Sequence, residues 1–156
     1  MPFKKNTMNN FKEAVLTTDE IKNCYRQGLQ SLNEHSTKVV VQNTRELSGS
    51  VAIDDCTKTA YPDANRWDYI FGYKGEAFFM EVHPAQTSEV AVVLKKFYWL
   101  IEWLRNNAPK INELKPKDKS AFYWVQSEGY NILRNSPQER AIIQKGLRPV
   151  ARIKLN

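Results

Sequence analysis

The chain has 156 residues, 42% of them hydrophobic and 12% aromatic, enough to bury the core of one domain spanning 1–156. Its formal charge is +6, and no apolar run reaches the ~20 residues of a membrane span. Such a composition excludes disordered, collagen-like and membrane-spanning classes.

In chain order, the start MPFKKNTMNNFK is basic but has no apolar stretch behind it, so it does not read as a signal peptide. Residues 17–32 read as a first helix. Thr17 and Glu20 have the spacing of a capping box, and Ile21, Tyr25, Leu29 and Leu32 recur at helical intervals. Residues 38–43 read as a short strand or an extended approach to the sheet, and 46–58 as a strand centred on Val51, Ala52 and Ile53. Cys24 and Cys56 match neither a disulfide framework nor a zinc spacing, so free thiols in a cytoplasmic protein are expected.

Residues 61–65 have loop chemistry, and 66–73 with 76–83 form a hairpin around Lys74-Gly75, where Gly supplies the positive φ of a tight turn. Counting outward from Tyr73 and Glu76, Phe71 faces Phe78, Ile70 faces Phe79 and Asp68 faces Glu81. Pro84 is expected to end the second strand. His83 shares the face of Glu81, because side chains alternate along a strand. Two directly opposed carboxylates repel, which suits either a shared-proton pair or half of a metal site.

Residues 88–107 read as a long apolar helix capped by Thr87 or Ser88, and 109–119 as a basic loop. Residues 121–129 read as a further strand. A helix over 135–147 comes next, with Ser136 as cap, Pro137 at its first position and Gly146 at its close; 148–156 is a terminal strand or tail. The excess charge lies late in the chain. Residues 1–80 hold ten basic and ten acidic side chains, whereas 81–156 hold thirteen and seven. Lys115, Lys117 and Lys119 form one cluster; Arg134, Arg140, Lys145, Arg148, Arg152 and Lys154 form another. A basic surface of this kind suits a polyanion such as nucleic acid, although general solubility would explain the same excess.

An acid on the second strand and an acid-x-base tripeptide on the third, Asp68 and Glu81-Val82-His83, resemble the PD-(D/E)XK nuclease superfamily. The resemblance implies an α/β, restriction-endonuclease-like αβββαβ core, with a central mixed sheet flanked by helices, over about 17–129. The helix and strand of 135–155 are then appended to it. It further implies that Asp68 and Glu81 bind Mg²⁺ for phosphodiester hydrolysis; a histidine ligand at 83 would suit Mn²⁺ better. On the charge pattern, DNA is expected ahead of RNA as substrate, with Lys115, Lys117, Lys119, Arg140, Lys145, Arg148 and Arg152 holding its backbone. Homodimers are common among its members that cut both strands.

His83 stands where the motif usually has lysine. Three readings are open: the imidazole acts itself, the cation has moved to Lys95 or Lys96 on the following helix, or the site has decayed to a binding or interaction module. Glu20 is either the capping-box acid or an added first-helix ligand, and Gln86 either orients a phosphate or water or serves the helix start.

Overall fold

Residues 7–156 are described by the computed structural model. Part of the basic segment read above as no signal peptide lies outside those residues. Phe11, Ala14 and Val15, spaced i, i+3 and i+4, bury one face of α1 (Thr7–Leu16) against the sheet. The expected helix over 17–32 does not form. Thr17 and Thr18 donate their hydroxyls back to carbonyls of residues 13 and 14 and close α1, so the apparent capping box is a helix end.

From there a series of turns leads into a 3-10 segment, Gln30–Lys38. The apolar spacing of 17–32 serves two surfaces. Ile21 is buried on one side of the sheet and Leu32 on the other, as the segment wraps the sheet edge and pairs Arg26 with Ser50.

The central sheet is mixed, in the order β2 (Leu47–Ala52), β3 (Tyr69–Tyr73), β4 (Glu76–Gln86), β5 (Phe122–Asn131). The first three strands are antiparallel, and β5 runs parallel to β4 after a crossover through α3 (Val90–Asn107) and α4 (Pro109–Glu113). β1 (Val39–Val41) pairs in parallel with β6 (Ile153–Leu155) as a separate ribbon. The strand expected over 46–58 stops at Ala52, because 53–57 turns into the short helix α2 (Ile53–Thr57). The basic loop expected over 109–119 likewise opens with α4. Ser136 caps α5 (Pro137–Gln144) by accepting from Glu139 N at 3.1 Å.

The hairpin register is the expected one, with Tyr73 opposite Glu76, Phe71 opposite Phe78 and Ile70 opposite Phe79. Lys74 and Gly75 both take positive φ, 51° and 77°, as a two-residue type I′ loop requires. Pro84 does not end β4, which continues to Gln86 beside β5. Val82 N–H points to the β3 side, where it meets Asp68 rather than a strand. Pro84 has the same parity, so its missing N–H falls on a side where no strand among the described residues pairs.

Helices and sheet meet in two layers. Val51, Ile70, Phe79 and Trp124 pack under α1, α3 and α4, whereas Phe71, Phe78, Met80 and Val125 pack against Leu32 and the β1–β6 ribbon. No helix among the described residues is long and apolar enough to cross a membrane. Cys24 and Cys56 are joined in a disulfide, contrary to the expectation of free thiols, so the cytoplasmic reading loses the support it drew from them. The bond ties the irregular 17–29 segment to α2.

Two sets of substitutions probe this packing. A Cβ on Gly72 would lie 2.3 Å from Ser48 Oγ and 2.4 Å from Phe11 Cγ. Gly72→Ala should therefore cost about 2 kcal/mol and lower Tm by roughly 6 °C, read by thermal denaturation. The disulfide closes a sequence separation of 32 residues. Cys24→Ser with Cys56→Ser should cost about 3–4 kcal/mol in denaturant melts, and reductant should do the same to the parent.

Candidate functional site

Backbone pairing of β3 with β4 ends at Tyr69 and Met80, and the next residues continue it with side chains. Asp68 N donates to Glu81 Oε1 at 3.1 Å, and Val82 N donates to Asp68 Oδ2 at 2.9 Å. Each carboxylate thus gives one oxygen to the neighbouring strand's backbone and presents the other to the layer of helices. Lys96, about two turns into α3, places its ammonium between those free oxygens. It donates to Glu81 Oε2 in a very short contact and lies 3.4 Å from Asp68 Oδ1.

His83 extends the set. Its Nδ1 lies 3.5 Å from Glu81 Oε2 and its Nε2 3.0 Å from Glu89 Oε2, at the start of the helical segment. The imidazole stands edge-on to Trp124, whose Nε1 donates to the His83 carbonyl. Glu81 is fully buried, the Asp68, His83 and Lys96 side chains are each less than one-fifth exposed, and Glu89 is one-third exposed. The set therefore forms a graded path from a dry acid to the surface.

Burial pushes the Glu81 carboxyl up to about 7, with the Asp68 charge adding to it and the His83 and Lys96 contacts opposing it. His83 is raised above its ordinary value by its hydrogen bond to Glu81, which outweighs burial, and Glu89 adds to the rise. For Lys96, burial acts downward, but the charges of Glu81 and Asp68 carry the ammonium above its usual range.

Of the other residues singled out by sequence, Lys95 is exposed and Gln86 lies exposed at the end of β4, opposite Asn131. Glu20 is neither a cap nor part of this cluster. Its carboxylate accepts from Tyr61 Oη at 2.7 Å and from Trp103 Nε1 at 2.9 Å, two turns along α3 from Lys96.

The basic residues divide into patches. Lys119 meets Glu76 beside the hairpin turn, and Lys115 lies over the Phe122 ring. Arg148 lies over Tyr130 near the other end of β5, roughly 25 Å along the strand. Lys145 lies over Tyr98 of α3, and Arg140 donates to the Asn135 carbonyl. Lys117 and Arg152 are exposed.

Sequence reasoning missed three contributors. Glu89 reaches His83 across a strand-to-helix junction, which has no periodicity to betray it. Arg66 binds Asp54 at 2.8 Å and the Tyr61 carbonyl, bracing the loop that leads into Asp68. A cleft of about 150 Å³ opens beside Asp68, with Ser31, Asn33, Asp54, Asp55 and Tyr69 among its walls.

No protein-family model matches this chain, and no curated protein or solved structure matches it. Its chemistry therefore rests on its own geometry. Among the described residues no group of three or more His, Cys, Asp and Glu side chains is arranged to hold a metal ion. The hard oxygens Asp68 Oδ1 and Glu81 Oε2 do converge on one point, held here by the Lys96 ammonium. A carboxylate pair of that kind fits Mg²⁺, which commonly takes one or two protein carboxylates together with water and substrate oxygens.

The raised Glu81 value carries a sign. The folded protein binds this proton more tightly than the unfolded chain does. The Glu81 contribution to stability should therefore be lost as pH rises from 4.5 to about 7. His83, also raised, adds to the decline as pH passes through its folded value. Thermal melts in EDTA across that range should show the slope, and Glu81→Gln should flatten it; an unchanged slope in the variant would remove Glu81 as its source.

Proposed function

We propose that the chain is a divalent-metal-dependent nuclease acting on DNA, resembling the PD-(D/E)XK superfamily. The observation that carries the reading is the Lys96 ammonium lying between the Asp68 and Glu81 carboxylates. It supplies from α3 the cation that the motif strand lacks, and so favours the moved-lysine reading over a direct role for His83. The order α1, β2-β3-β4, α3, β5 agrees with an αβββαβ core, with 7–16 as first helix in place of the expected 17–32.

Asp68 and Glu81 would hold Mg²⁺ or Mn²⁺, which when bound supplies Lewis acidity toward water and a phosphoryl oxygen. Lys96, freed from part of its contact with the acids, faces the same point. It offers a fixed positive charge to orient the attacking water or offset charge developing on the phosphate. His83 positions Glu81 through Nδ1 and is itself held by Glu89, and the pair can pass a proton from the buried acid to the surface. The basic groups around α5 and β5 supply backbone attraction that should weaken with salt.

The second reading is a catalytically inactive nuclease-fold module that binds nucleic acid or protein. It is favoured by how completely Lys96 satisfies both acids without an added ion.

One experiment separates them: incubation of plasmid, single-stranded DNA and RNA with Mg²⁺, Mn²⁺ or EDTA. Metal-dependent cutting should vanish in Asp68→Ala and Glu81→Ala and fall about 10²-fold or more in Lys96→Met, with a smaller loss in His83→Ala. Lys95→Met should cut like the parent. Absence of cutting under every condition, in folded protein, would leave the inactive-module reading.

A further inference from the structure

On α3, Lys96, Trp99 and Trp103 are spaced i, i+3 and i+7 and so share one ~60° arc of the helix. Beyond Lys96 that arc becomes aromatic. Trp99 and Trp103 stack with centroids 5.9 Å apart and planes 16° from parallel, and Tyr61 meets Trp99 edge-on at 5.6 Å. Glu20 fixes two of these rings by accepting from Tyr61 Oη and Trp103 Nε1.

Trp103 is buried, but Trp99 and Tyr61 are only half-buried. Together they line an open cleft of about 310 Å³, with Glu102, Asn106 and Asn107 at its rim. Both rings pack against the core and still present part of their surface to the cleft. Here an aromatic wall, held by the Glu20 carboxylate, faces solvent with carboxamides beside it. Such a wall suits a flat, apolar-faced ligand with hydrogen-bonding edges.

We propose that this cleft is a base-stacking subsite for an unpaired nucleobase of DNA, flanking the phosphodiester held at Asp68, Glu81 and Lys96. The proposal rests on the nuclease reading and deepens it. Along the helix axis Trp99 lies about 4.5 Å and Trp103 about 10 Å from Lys96. Stacked nucleotides advance ~3.4 Å each, so a base one to three positions from the scissile phosphate reaches the wall. A base inside a duplex presents no free face, so the substrate is single-stranded or locally opened DNA. Carboxamides such as those of Asn106 and Asn107 match the adenine edge, which makes adenine the informative probe.

The test is binding of a labelled oligodeoxyadenylate in EDTA, read by anisotropy and by quenching of tryptophan emission, so that no cleavage enters. The parent should bind it more tightly than an abasic oligomer of equal length. Trp99→Ala should lose roughly tenfold or more in affinity for the intact oligomer and nothing for the abasic one. Trp99→Phe should recover most of that loss. Asn106→Ala, at an exposed position, tests the rim without disturbing the core.

Equal affinity of the parent for intact and abasic oligomers overturns the subsite. A preference for the intact oligomer in a chain that never cuts would leave the subsite standing and sink the hydrolytic reading; cutting without that preference would do the reverse.

Discussion

The arrangement depends on one positive charge lying between two negative ones on adjacent strands. Asp68 and Glu81 stand where β3 and β4 begin to part, and Glu81 is wholly buried. Two carboxylates so placed would repel and, unpaired, would be expensive to keep from water. Lys96 offsets both, and in doing so sets the rotation of α3 about its axis. The same rotation turns Val93, Phe97, Leu100 and Leu104 into the core. Removing one member of such a triad leaves an uncompensated buried charge, the costly outcome for buried ion pairs. Ionic contact and hydrophobic packing therefore determine the helix position together.

The way the acids are held bears on what they can do. Each is anchored through one oxygen by a backbone N–H of the facing strand, which fixes its rotamer and leaves the other oxygen directed at the shared point. The direction of both free oxygens is thus fixed by the backbone before any ligand arrives. The chain Glu81, His83, Glu89 then gives the buried acid a route for protons. Both His83 and Lys96 bear on the same carboxylate, so a change of charge on Glu81 is felt by each of them.

Much of this is legible in the sequence, and the failures have physical causes. The Lys74-Gly75 loop dictates a register whose parity puts Asp68, Glu81 and His83 on one face, because strand side chains alternate strictly. Lys95 and Lys96 are also separable, because Val93, Phe97, Leu100 and Leu104 form a helical stripe with Lys96 at its edge and Lys95 on the opposite side. What the helical pattern does not show is that this edge meets the two acids, which depends on how α3 crosses the sheet.

The first helix departs from expectation for a different reason. Thr17 and Glu20 have a capping spacing, yet Gly28 takes a φ of 49°, which interrupts any helix through 17–32. The signal that points to the true helix is Phe11, Ala14 and Val15. The disulfide is out of reach of sequence spacing, since it depends on how a loop folds over the edge of the sheet.

Pro84 limits what the edge of β4 can offer to a further strand. Beyond Met80, no strand among the described residues pairs with the β3 side of β4, and unpaired strand edges can accept a further strand. On that edge Val82 N–H is already taken by Asp68, and the next inward position is a proline with nothing to donate. An incoming strand would find no pair of successive donors there. On the β3 side of β4, regular backbone pairing therefore has no run of free donors to continue on past Met80.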